Sequence, residues 1–68
     1  MSTIFQQSLQ AQIVAARAYE AGYGEAANWL SCQGRSEASD VSFAKALAHR
    51  RAAEIMEAEA AKEEGGEG

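Results

Sequence analysis

Four residues have the side-chain types from which a nucleophilic site could be built: Cys32, Asp40, Ser42 and His49. Their spacing argues against one. Asp40, Ser42 and His49 fall in a single helical pattern at offsets of two and nine, and residues two apart on a helix point to different sides. Cys32 lies in a Gly/Ser-rich stretch about two turns from His49 once the chain folds back. No catalytic residue is assigned, and the chain is expected not to be an enzyme. It has one Cys and one His, short of the four ligands that a structural zinc site needs, so no metal is expected. Gly22 and Gly24 follow a helical pattern rather than a strand and do not form a phosphate loop. No cofactor is expected.

Recognition chemistry is better represented. Trp29, Phe43, Arg50, Tyr19 and Tyr23 are of the types that concentrate binding energy at protein interfaces. Whether they act together depends on the elements that carry them. The sequence contains no proline and is rich in alanine, glutamate and glutamine, which favours helix. Thr3 and Gln6 have capping-box spacing. From there Phe5, Leu9, Ile13, Ala16, Tyr19, Tyr23, Ala27 and Leu30 recur every three or four residues, one stripe of a helix from about 4 to 33. A break at Gly22-Tyr23-Gly24 is the alternative, since each glycine costs ~1 kcal/mol inside a helix.

Gly34 suits a left-handed cap in a turn spanning 34–39, with Ser36, Ser39 and Asp40 as candidate N-caps. A second helix then runs from about 40 to 64, its inward stripe read as Val41, Ala44, Leu47, Ala48, Arg51, Ala52, Ile55 and Ala58. Residues 65–68 are expected to be a disordered acidic tail. The fold class is all-α: a two-helix antiparallel hairpin in which residues whose numbers sum to about 71 lie level. That register sets Arg51 opposite Glu20 as an ion pair. It also sets Trp29 level with Phe43 beside the turn, where with Arg50, Tyr19 and Tyr23 they form the expected site for a partner.

The first helix has a second apolar strip, Ile4, Ala11, Ala15, Ala18, Gly22, Ala26 and Trp29, at roughly a right angle to the first. One hairpin covers one face per helix, so a second strip needs a second neighbour. A 68-residue chain is also near the limit of what a single small core can stabilise. Pairing into a homodimeric four-helix arrangement is therefore expected, with Ile4, Phe5, Leu9, Ala11, Ala15 and Ala18 at the dimer interface. The competing use of the strip is to dock a different protein.

Net charge is −4, and Glu57, Glu59, Glu63, Glu64 and Glu67 gather half of the ten acidic residues near the end. Lys45, Arg50 and Arg51 form a small basic island too close to these carboxylates to track phosphates. Nucleic acid is thus a secondary reading, an RNA-binding four-helix bundle with Arg17, Lys45, Arg50 and Arg51 on one face. The N-terminal residues lack a basic region and an apolar run, so no leader and no membrane anchor is expected. With the lone thiol, this points to the cytoplasm.

Ser42-Phe43-Ala44-Lys45-Ala46-Leu47 resembles the start of the second helix in small phage-encoded helical-hairpin inhibitors of host regulators, of the quorum-sensing anti-activator type. In length, turn position and acidic tail the chain is also similar to the plasmid copy-number RNA-binding hairpin. The first resemblance implies a dimer that seizes a host protein by its helical faces. The leading expectation is accordingly a non-catalytic protein-binding module, an inhibitor or adaptor.

Overall fold

The computed structural model describes the backbone of residues 3–65 and the side chains of residues 8–63. Two helices, α1 (Thr3–Cys32) and α2 (Ser36–Gly65), fold back on each other as an antiparallel hairpin. The rod measures 50 × 19 × 11 Å. Its radius of gyration of 15.4 Å compares with about 11 Å for a compact domain of this length.

α1 passes through Gly22 and Gly24 without a break. A Cβ at either position would meet nothing within 4 Å, so neither glycine is there to let α2 approach. The turn is shorter than 34–39. Gly34 adopts φ 77°, its amide donates to the Ser31 carbonyl at 3.0 Å, and the Arg35 amide donates to the Leu30 carbonyl at 2.9 Å. This is a Schellman motif, with Gly34 in the left-handed position that L-residues avoid. The Arg35 carbonyl already accepts from the Ser39 amide at 2.9 Å. Arg35 therefore occupies the N-cap place, and Ser36, Ser39 and Asp40 all lie within α2. Gly65 also belongs to α2 and not to a tail; residues 66–68 lie outside the described residues.

The register agrees with expectation. Arg17 meets Glu57, Glu20 meets Arg50, Tyr23 meets His49 and Ser39 meets Ala27, pairs whose numbers sum to between 66 and 74. The face of α2 does not agree. Val41, Leu47 and Ile55 are 57%, 40% and 55% exposed, and Ala44, Ala48, Arg51 and Ala58 are exposed with them; only Ala52 is half-buried. The row against α1 is instead Ser39, Ser42, Ala46, His49, Ala53, Met56 and Ala60, of which Ala46, Ala53 and Ala60 are buried.

The reason is steric and polar together. Spacings of three and four in strict alternation keep a seam facing its partner along the whole helix. On α1 the matching row is Leu9, Ile13, Ala16, Glu20, Tyr23, Ala27 and Leu30. An alanine every seventh residue of α2 lets the backbones come close. The Ser39 hydroxyl then donates to the Ala27 carbonyl across the hairpin at 2.7 Å. The larger Val41–Ile55 row would hold the helices apart. Leu9, expected at a dimer interface as well as on the inward stripe, is buried with Ile13 and Ala60 in the hairpin's own core, with half-buried Met56 packed against them. The side chains of Ile4 and Phe5 lie outside the described residues.

Candidate protein-binding surface

The two broad faces of the rod differ in chemistry. On one, Arg17 donates to both oxygens of Glu57, at 2.8 and 3.0 Å, and to Glu20 at 2.8 Å. Glu20 in turn accepts from Arg50 at 3.0 Å. The chain Glu57-Arg17-Glu20-Arg50 thus ties α1 to α2 twice. Hydrogen bonds from Arg17, then from Arg50, hold the Glu20 carboxyl below its ordinary value, and Arg17 does the same for Glu57. The guanidinium of Arg17 is correspondingly held charged, by Glu57 first and Glu20 second. Arg51, expected opposite Glu20, instead points outward and stands beside Glu54 on its own helix, at 4.0 Å. Being one residue off the seam decides this: Arg50 flanks the interface, whereas Arg51 is a further ~100° around the helix.

Phe43, Leu47 and Arg50 lie at offsets of four and three, one ridge along this side of α2. Phe43 is 53% and Leu47 40% exposed. Arg50, with half of its side chain exposed, is held in place by Glu20, so its orientation is set before any partner arrives.

The other broad face carries aromatic rings. Tyr19 and Tyr23 lie 6.3 Å apart between ring centroids, and His49 packs against them at 5.0 and 5.7 Å. Lys45 Nζ stands 5.4 Å from the centre of the Tyr23 ring, within cation–π range. His49 Nδ1 lies 2.8 Å from the Lys45 carbonyl. A carbonyl only accepts, so Nδ1 is the donor in this arrangement. Beside the rings runs an open apolar groove of about 510 Å³, lined by Ala15, Ala18, Tyr19, Gly22, Tyr23 and Ala26. Ala11, Ala15 and Ala18 are exposed, as the second strip requires.

The residues expected to form one partner site are therefore divided. Tyr19 and Tyr23 wall the groove. Phe43 and Arg50 stand on the ionic side, since Phe43 is about 200° around α2 from Lys45. Trp29, 62% exposed, lies roughly a third of a turn beyond Tyr23, away from the seam. Trp29 and Phe43 share a level of the rod but not a face. Sequence reasoning missed Arg17 as the centre of the ionic network and His49 as the bridge between tyrosines. The alanine heptad 46, 53, 60 was the signal that would have found both, because it fixes which side of α2 flanks the seam.

Among the described residues no three His, Cys, Asp or Glu side chains converge as a ligand set, and no helix is long and apolar enough to cross a membrane. Comparison with models of protein families, with curated proteins and with solved structures finds no match.

Proposed function

We propose that the chain is a non-catalytic protein-binding module that engages a larger protein through the α2 ridge Phe43, Leu47 and Arg50, blocking or redirecting it. The observation that carries this reading is the ridge itself: two large apolar side chains, 53% and 40% exposed, beside an arginine oriented by Glu20. Anchors of this kind, an aromatic and an aliphatic next to a fixed guanidinium, are what a helix presents to a hydrophobic groove. Inhibition of a host regulator, the role implied by the resemblance at Ser42–Leu47, is the form of this activity that we favour, in the cytoplasm.

Nucleic acid is served less well. Arg17, Arg50, Arg51 and Lys62 all stand beside carboxylates, which would have to be displaced or would repel a phosphate backbone.

The test is affinity capture from nuclease-treated host extract with wild type, Phe43→Ala and Arg50→Ala. The reading expects a protein retained by wild type and lost from both variants, with helical content unchanged. Capture of the same proteins by all three chains would refute it, as would retention that disappears with nuclease.

A further inference from the structure

We propose that the groove on α1 is filled by the same groove of a second copy of this chain, antiparallel to it about a two-fold axis level with Glu20 and Ala21. The centre of the groove is self-complementary in side-chain size. An antiparallel partner about that axis sets Ala15 against Ala26 and Tyr19 against Gly22, each pair summing to 41 and lying near the centre of the groove, while Ala18 and Tyr23, ~140° apart around α1, line its two edges. Tyr19 meets the one lining residue without a side chain, and does so twice by symmetry. An isologous interface requires this self-complementarity of a surface, and a groove evolved for an unrelated helix would have no reason to show it.

Area and charge agree on the occupant. The broad face of the rod, 50 × 19 Å, sets a ceiling of about 950 Å² on the footprint, so the roughly 800 Å² per partner of a stable complex is reached when the contact extends from the groove over most of that face. The chain exposes 4762 Å², where a compact monomer of its mass would expose about 4,100 Å². Among the described residues no carboxylate lines the groove, and Lys45 at its edge is already engaged over the Tyr23 ring. The opposite face holds the four-residue ionic network, whose burial would carry a desolvation cost. Self-association thus uses the aromatic face and leaves the Phe43 ridge open, so it stands independently of the function proposed above.

Two substitutions separate this arrangement from others. A side chain at Gly22 or Gly24 meets nothing within the hairpin, so a glutamine at either affects mass only through what docks there. Sedimentation equilibrium should show a dimer for wild type and Gly24→Gln, and a monomer of undiminished helicity for Gly22→Gln. The orientation is read by cysteine pairing in a Cys32→Ser background. Ala15→Cys with Ala26→Cys together should give a covalent dimer on mild oxidation, while either alone should not, because the two positions are ~16 Å apart along one helix. The exposed native Cys32 would lie level with Leu9 of the second copy and should not link the dimer to itself. Three results would each overturn the proposal: a wild type that stays monomeric at millimolar concentration, a Gly22→Gln variant that remains dimeric, or ready linkage through native Cys32 with none between the thiols introduced by Ala15→Cys and Ala26→Cys.

Discussion

Replacing Ala53 by leucine tests which face of α2 packs against α1. Ala53 is fully buried, 0% exposed, in the row that lets the two backbones approach. Leucine has nearly the same helix propensity as alanine, so any effect comes from the three added carbon atoms. Overfilling a packed site of this kind costs about 1–3 kcal/mol. A chain of 68 residues has a total stability of roughly 3–10 kcal/mol, so the loss is a large part of the whole. At about 4–8 °C per kcal/mol for a chain of this size, melting should fall by roughly 5–20 °C. Ala48→Leu and Ala58→Leu add the same atoms to exposed positions and should stay within about 0.5 kcal/mol of wild type. The assay is thermal and urea unfolding followed by circular dichroism at one fixed protein concentration, because association shifts melting. If Ala58→Leu or Ala48→Leu is the damaging change and Ala53→Leu is silent, α2 packs through the Val41–Ala58 row and the core described above is wrong.

Other outcomes follow from the same geometry. Gly34→Ala should cost about 1–2 kcal/mol from the left-handed backbone alone, since a Cβ there meets nothing; unchanged melting would contradict the turn. In double-mutant cycles Glu20→Leu should couple with Arg50→Met and add independently with Arg51→Met, and the coupling should weaken in high salt; the reverse pattern would restore Arg51 to the seam. The Glu20 and Glu57 carboxyls are held below the ordinary value of 4.5, so between their folded values and that value the unfolded chain binds more protons. Their contribution is full above about pH 4.5 and is lost as pH falls through the folded values. An Arg17→Met variant, titrated in parallel, should lose most of this acid sensitivity.

The hairpin, its length and its register were legible because they rest on strong local signals: helix-favouring composition, a lone Gly/Ser-rich interruption and the fixed rise of a helix. Most of the first stripe was legible too, since Leu9, Ile13, Ala16 and Ala27 are buried as their spacing implies, but Tyr19, 55% exposed, does not belong to it and Glu20 takes its place. The face of α2 was not. Its most hydrophobic row, Val41 to Ile55, is exposed, and its buried row contains Ser39, Ser42 and His49, which no hydrophobicity count would choose. What selects that row is close approach, a property of two helices together. The same error of one residue moved the ion pair from Arg50 to Arg51 and set Trp29 and Phe43 on one face. The groove was half legible: its small residues were visible as a second strip, but its tyrosine wall was read as part of the inward stripe.

The function proposed above requires that Phe43 and Leu47, left exposed by the hairpin, be covered by a partner protein. Covalent footprinting with a photogenerated carbene reads this directly, residue by residue, on dilute isolated chain and on chain incubated in nuclease-treated host extract. Phe43 and Leu47 should label strongly in isolation and be protected in extract, while exposed Val14, on neither proposed surface, should label equally in both. Equal labelling of Phe43 and Leu47 in the two samples would contradict that function.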